Sequence, residues 1–585
     1  MACSEHRLVF LAILVFIVLT IFMTYPLPFS PGSSIRDYGD SLLNTWILAT
    51  VGTKLFHLDF KNFFAGNIFY PETKPLLYSE LLIPQAILAW PLFKITANPV
   101  FAHNLVLLLA IFTSGLGMFF LAFYLTGSFW PSIMAGTIFA FSPFMMAHTV
   151  QLQVVSAGGL PLLFLFLHRY FDRQRFVDWL GFGLVYVIQS LANIYYALFL
   201  VIFAGLFLVG GALLRKLYRH KRFWAHAAGF LVGAALCLGP LFWGYARQQK
   251  EEGFERTIGA QAKVTSYLAT ARFNRVYGRF TSRWRQPEAE LFPGFGTVLL
   301  SLWGVSLLFL KKREGQFLIS PSEDAAGFIR AAASSSLSWK QIAGEKSPLA
   351  GGYPFSRQII GSYLLLMMAA VSLCFGTKGT FWFLYRFIPG YRAIRAVPRF
   401  HIFTMLVLAV LAAYGLCFLL RKIRVSFWRR FLIAACLGGI ILEYLSIPLP
   451  TRLISGRHEM PEVYQELSRW PEKKVILELP FPEPGSGIGR VEGPRMYYSL
   501  FHGHTLVNGY SGFFSPTYNE IRVKLNRDSL EENIFYWQRL GVNLLIIHGD
   551  ELRSRDFTGL IITLSAFSSL RLVGQFGNDF LFRLL

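Results

Sequence analysis

Eleven long apolar runs recur along this chain, near residues 8–26, 101–125, 131–146, 155–168, 178–192, 195–214, 226–244, 295–310, 359–376, 400–420 and 430–449. A helix needs roughly 20 mostly apolar residues, at 1.5 Å rise each, to cross a hydrocarbon layer of about 30 Å. A backbone in that layer must satisfy its own hydrogen bonds, so runs of this kind fold as membrane-spanning helices. Composition closes the alternative: 54% of the residues are hydrophobic and 15% charged, against about 25% charged in a soluble domain. The 58 Phe suit lipid-facing helix, and the 13 Trp and 25 Tyr suit the headgroup level. The net charge of +22 is what short cytoplasmic loops and anionic headgroups attract, rather than the footprint of a nucleic-acid binder. Five scattered cysteines offer neither metal spacing nor a disulfide framework.

Basic clusters set the expected orientation. His168-Arg169 with Arg173 and Arg175, Arg215-Lys216 with Arg219 and Lys221-Arg222, Lys311-Lys312-Arg313, and Arg421-Lys422 with Arg424 all face the cytoplasm if there are eleven crossings and a cytoplasmic N-terminus. The first run, Leu8 to Pro26, leads into a Pro-rich loop without a small-x-small cleavage pattern, so it is expected to stay as an uncleaved helix. The parity requires that ELLIPQAILAWPLFKITA (80–97), with Pro84 and Pro91, lie at the surface or re-enter rather than cross. Segments 27–100, 245–294 and the tail from about 450 are then extracytoplasmic, and the Ser/Ala/Gly-rich insert 311–358 is cytoplasmic. The expected fold is a polytopic α-helical transmembrane domain over 1–449, with juxtamembrane helices in the first outer loop, followed by an extracytoplasmic domain over 450–585. The expected location is the inner (plasma) membrane.

The first outer loop reads SSIRDYGDSLLNTWILATVGTKLFHL. Leu42, Leu43, Trp46, Ile47, Thr50, Val51 and Leu55 recur at helical spacing, which predicts an amphipathic interfacial helix over 41–57 with Asp40 as its N-cap. On that reading Asp37 is left as the loop carboxylate. The tail differs in pattern. Short β-type runs at Val475–Leu479, Thr505–Val507, Leu544–Ile547, Leu570–Val573 and Phe580–Phe582 alternate with helical stretches near 461–470, 516–524 and 529–540, which predicts a small α/β domain. It has no Gly-rich phosphate loop and no nucleophile elbow. His502 and His504 could bind metal from a strand, though two exposed loop histidines are the commoner outcome; their segment FHGHTLVNGYSGFF could also stack on sugars or face the first outer loop.

RDYGDSLLNTW (36–46), FFAGNIFYPE (63–72), YSELL (78–82), FAFSPF (139–144) and PGYRAIRAVPRF (389–400) together resemble the GT-C superfamily of membrane glycosyltransferases, in its bacterial Rgt-like and YfhO-like branches. The resemblance spans roughly 1–449 and rests on short motifs. It implies transfer of a hexosyl or pentosyl unit from a polyprenyl-phosphate donor to a glycan, lipid or protein acceptor at the outer face, in building the cell envelope.

Such a reaction needs a carboxylate to take the acceptor's proton and cations to hold the leaving phosphate. The family's base is an acid of the first outer loop, which Asp37 and Asp40 match; Asp37 is the preferred base because Asp40 has the cap available. Glu80 is the next acid in reach, a second acid or metal ligand, and these carboxylates could hold a divalent cation such as Mg or Mn. Arg395 and Arg399 stand just before an outer helix end, against the positive-inside bias, and a guanidinium fork suits phosphate; anchoring to lipid headgroups is the competing reading. Arg272, Arg275, Arg279, Arg283 and Arg285, interleaved with aromatics, read first as a headgroup-facing stretch and second as a gate over a lipid phosphate. His148, Gln151, Asn193 and Tyr195 could line an acceptor pocket or serve as turn and belt residues. Two other functions stay open: a transporter or flippase of lipid-linked glycans, and a non-catalytic assembly protein of the same fold. A transporter places ionisable groups near mid-membrane, where Glu443 is the exception in spans otherwise free of them.

Overall fold

The computed structural model describes residues 2–253, 258–309, 357–388, 390–482, 487–551 and 554–585. The insert 311–358 lies outside the described residues but for its last two. A helix occupies each of the eleven apolar runs. Among the described residues, seven helices are long and apolar enough to cross a membrane: His6–Met23, Pro99–Thr126, Phe129–Ala147, Leu152–Arg173, Ile194–Leu214, Lys221–Glu252 and Val397–Lys422. Phe176–Ala192, Phe295–Phe309 and Gln358–Cys374 are shorter apolar helices, and Ser426–Glu443 completes the set. Segment 80–97 forms a 14-residue helix, Ile83–Thr96, with Pro91 inside it; its length of about 21 Å falls short of the bilayer core.

The chain folds as two compact units, the first comprising 1–26, 107–240 and 255–449. Its helices approach closely where glycine allows. A Cβ on Gly304 would strike the Leu411 carbonyl, and one on Gly415 the Leu300 carbonyl. Ser301 donates to Leu408 O (2.9 Å) across the same crossing, the small-residue contact that joins helices in lipid. Phe16 packs over the gap left by Gly115 and Gly136.

The second unit comprises 27–106, 241–254 and 450–585. At its centre is a five-stranded sheet: β3 (Val475–Leu479), β4 (Thr505–Leu506), β5 (Leu544–His548), β6 (Leu570–Phe576) and β7 (Asp579–Leu584), in the order β4-β3-β5-β7-β6. β3 runs parallel to β4 and β5, and β7 antiparallel to β5 and β6. These are the five predicted strands. Leu477, Val507, Ile534, Trp537, Leu545, Ile547 and Phe582 form its core, with helices Glu462–Ser468, Pro516–Arg527 and Leu530–Leu540 where expected. Helices Ile488–His502 and Ser554–Ala566 have no counterpart in the sequence reading; the first contains Gly489, Gly493 and Pro494, which read as breakers.

The first loop is built into this unit. β1 (Ser34–Ile35) pairs antiparallel with β2 (Arg452–Leu453), and the Arg36 guanidinium donates to Pro450 O. Leu506 N donates to Asn67 O (2.8 Å) and Tyr70 N to Leu506 O (2.9 Å), so 67–70 lies along the free side of β4. Helix Asp40–Phe56 is not the interfacial amphipathic helix expected. Residues 41–49 are all buried, because Ile83–Thr96 and Ile488–His502 pack against it. His103 and Asn104 are likewise buried; Asn104 donates to Pro31 O and Ser34 O, pinning the start of the loop.

Candidate active site

The capping role expected of Asp40 falls to Asp37. Asp37, not Asp40, caps the helix: its Oδ2 accepts from Gly39 N and its Oδ1 from Ser41 N, both at 3.0 Å. The helix begins at Asp40 itself, one residue too early for Asp40 to cap it, and Gly39 N donates back to the Asp37 carboxylate. Asp40 stands in the first turn, where the helix dipole favours a negative charge. Its Oδ1 accepts the Tyr510 hydroxyl at 2.8 Å. Tyr510 comes from the NGYSGFF segment, whose aromatic content was the available signal; its partner 470 residues away was not.

Two glycines shape this corner. A Cβ on Gly493 would overlap the Tyr38 carbonyl, and one on Gly489 would lie 2.8 Å from Gly39 Cα. Helix Ile488–His502 can therefore press onto the Tyr38–Gly39 backbone, and Trp46, almost wholly buried, donates to Asn67 Oδ1 (3.0 Å) beside it. Glu80 lies half-buried in the link before Ile83–Thr96. Among the described residues no group of three or more His, Cys, Asp or Glu is placed to hold a metal ion. Asp37, Asp40 and Glu80 thus do not form the donor set a Mg or Mn site would need.

A second cluster stands in the first unit, where four helix ends meet a loop. Arg399 grips Glu288 with both arms of its fork, Nε to Oε2 at 2.8 Å and Nη2 to Oε1 at 2.9 Å. Gln151 donates to Glu288 Oε1 (3.2 Å), and His148 Nε2 lies 3.8 Å from Oε2. The Arg399 guanidinium also sits over the Tyr195 ring, 5.1 Å from its centroid, and Tyr195 Oη accepts from Arg395 N (3.1 Å). Burial alone would raise the Glu288 carboxyl, but Arg399 and His148 outweigh it and hold the group well below the usual range, as a carboxylate. Arg399, His148, Gln151 and Tyr195 are thus brought together, around an acid that the sequence reading passed over inside an arginine-rich loop. Arg395 is exposed. Asn193 is a cap: its Oδ1 accepts from Tyr196 N (3.0 Å) and its Nδ2 donates to Gln153 O (2.8 Å).

Other polar residues turn out to be structural. His502 and His504 are neither exposed nor metal-paired; both are buried, and His504 bridges Lys474 N and Leu467 O. Burial lowers His502 to about 3, so it is neutral. Glu443 receives Phe295 N, Gly296 N and the Tyr277 hydroxyl, capping the helix that begins at Phe295.

No family model and no curated protein matches the chain. Solved structures do. The arabinofuranosyltransferase AftD from Mycobacteria (R1389S mutant) aligns at 14% identity with a TM-score of 0.56, over 98% of this chain and 41% of AftD, so the chain spans about two fifths of that enzyme's length. The oligosaccharyltransferase of Archaeoglobus fulgidus aligns at 12% identity and TM-score 0.46, over 92% of this chain and 69% of that one. ArnT from Cupriavidus metallidurans, bound to undecaprenyl phosphate, aligns at 12% identity and TM-score 0.40, over 100% and 98%. The AftD likeness is strong enough to argue from, and at its identity it speaks for the fold.

Proposed function

We propose that this chain, a membrane protein with the GT-C fold, is a glycosyltransferase that moves a sugar from a polyprenyl-phosphate donor to an acceptor hydroxyl at the outer face of the membrane. The observation that carries the reading is a first-loop carboxylate, Asp40, oriented by a hydroxyl from the C-terminal domain. The fold shared with an arabinofuranosyltransferase supports it.

Asp40 is the proposed base, because Asp37 spends both carboxylate oxygens on backbone N–H groups. The acceptor oxygen attacks the anomeric carbon and its proton passes to the Asp40 carboxylate. The bond from that carbon to the phosphate oxygen breaks, and polyprenyl phosphate leaves with the electron pair. General-base help of this kind is worth roughly 10²–10⁴-fold. Arg399, with exposed Arg395 four residues before it, is proposed as a phosphate-binding residue, for which a planar guanidinium fork is well suited. No step is routed through a metal. His148, Gln151 and Tyr195 gather at Arg399, so we place them with the phosphate rather than in an acceptor pocket. The tail is proposed to lie outside the membrane.

The test is purified protein in lipid, given a panel of polyprenyl-phosphate sugars, with donor consumption and acceptor labelling followed together. Transfer, or slow hydrolysis of one donor, is expected. Donors that stay intact while crossing the bilayer would indicate a flippase, and donors that neither react nor cross would indicate an assembly protein.

A further inference from the structure

Arg399 cannot hold a phosphate while Glu288 fills its fork. The two partners of this ion pair differ in a telling way: the Arg399 side chain is 9% exposed and the Glu288 side chain 28%. The arginine is buried with its guanidinium over the Tyr195 ring, whereas the acid reaches in from a loop. Glu288 also has a left-handed backbone, φ 66°, a conformation that costs a non-glycine residue about 1–2 kcal/mol. The pair therefore joins an immobile cation to an accessible anion held in a strained backbone.

The groups around the carboxylate form a set that would suit a larger anion. Arg399 Nε and Nη2 and Gln151 Nε2 all donate to it. His148 Nδ1 is engaged by Phe144 O at 2.8 Å, which turns Nε2 towards Glu288. Beside them His401 is fully buried, and neither ring nitrogen has a hydrogen-bond partner among the described residues. Both histidine rings pack on Phe144, with centroids 4.3 Å and 5.4 Å away. The resting arrangement thus leaves a buried polar ring unsatisfied next to a complete anion cradle.

We propose that Glu288 is a resident stand-in for the donor's phosphate, neutralising Arg399 in the empty enzyme and displaced from the guanidinium when a phosphate group enters. The inference rests on the reading of Arg399 as the phosphate-binding residue. Displacement makes chemical sense because carboxylate and phosphate compete for the same fork. A phosphate carrying more charge and more acceptor oxygens than a carboxylate can engage His148 and Gln151 as well. Glu288 is on this account a specificity device: anions weaker than phosphate fail to dislodge it.

The experiment measures binding of undecaprenyl phosphate to the full-length protein in nanodiscs for wild type, Glu288→Gln and Arg399→Ala, with thermal melting as a folding control. Glu288→Gln is expected to bind about tenfold tighter and Arg399→Ala at least tenfold weaker, the scale of one charge-assisted contact. Glu288→Asp, charged but shorter, is expected to fall between wild type and Glu288→Gln. If Arg399→Ala weakens binding but Glu288→Gln equals or falls below wild type, Glu288 is a fixed member of the site; the stand-in is then overturned and the phosphate reading survives. If Arg399→Ala binds like wild type, Arg399 is not the phosphate residue, and both fall. Inorganic phosphate serves as competitor. Displacement of the lipid by it assigns recognition to the phosphate group alone, and failure to displace assigns part of the affinity to the lipid chain; the order of the variants decides the proposal in either case.

Discussion

Arg495 in the sheet domain and Arg399 at the helix ends are both buried arginines gripping carboxylates, yet the surroundings of the two have little in common. Arg495 is 2% exposed and meets Glu478, Glu492 and Glu551, the first two of them fully buried. Tyr464 and His548 close on Glu478, Asn508 and Tyr518 on Glu492, and His548 reaches on to Asp579. Each group there is locked by at least one other, all from the folded domain. Arg399 instead faces a part-exposed acid on a strained loop turn. The lesson is that burial of charge alone does not mark a functional site. A cluster of fully buried acids on a buried arginine holds a fold together, while a buried cation whose acid is part-exposed on a strained turn is available to a ligand.

The comparison can be broken most forcefully at Arg495. Arg495→Ala strands two buried glutamates, and losing one partner of a buried ionic cluster costs about 3–5 kcal/mol. The expected result is a sheet domain that unfolds, seen as loss of expression or a collapsed melting transition. Arg399→Ala should do the reverse, keeping the melting transition while transfer falls by about 100-fold, the usual loss when a charge-stabilising donor is removed. A variant at Arg399 that unfolded the protein would erase the distinction. Tyr510→Phe removes one hydroxyl from Asp40 and should lower turnover about tenfold, as a hydrogen bond to a charged group would, with an altered pH profile and unchanged melting.

The smallest expected effect is a pH dependence confined to the closed network. Burial would lower His548, but Asp579 and Glu478 raise it to about 9 from an ordinary 6.5. Burial raises Glu492 to about 7 from 4.5. Both groups hold protons more tightly folded than unfolded, so their contributions are complete at low pH. The part from Glu492 is lost as pH rises through about 7, and the part from His548 as it rises through about 9. The melting temperature of the sheet domain should therefore drift down between about pH 4.5 and 9. His548→Gln should remove the upper part of that drift.

Hydropathy made the helices legible, since eleven apolar runs leave a chain few ways to fold. Alternation and turn residues made the five strands legible too. The helix Ile488–His502 was hidden because Gly489, Gly493 and Pro494 are poor helix formers, tolerated here for the contact they permit with Tyr38 and Gly39. The roles of Asp37 and Asp40 were within reach of local sequence but turned on where the first helical residue falls, which spacing leaves uncertain by one or two positions. Glu288 lay beyond local reach, because its meaning comes from Arg399, 111 residues away. Side chains that pair across the fold carry no periodic signal.

The decisive measurement compares Asp40→Asn with Asp37→Asn in one preparation, recording both transfer from a polyprenyl-phosphate sugar and thermal melting. The account predicts that Asp40→Asn loses transfer by about 100-fold or more while melting like wild type. Asp37→Asn should melt lower, by the roughly 0.5–2 kcal/mol a lost cap costs, and keep measurable transfer. An inactive Asp37→Asn with normal melting beside an active Asp40→Asn would contradict the assignment of the base, and full activity in both would contradict the site.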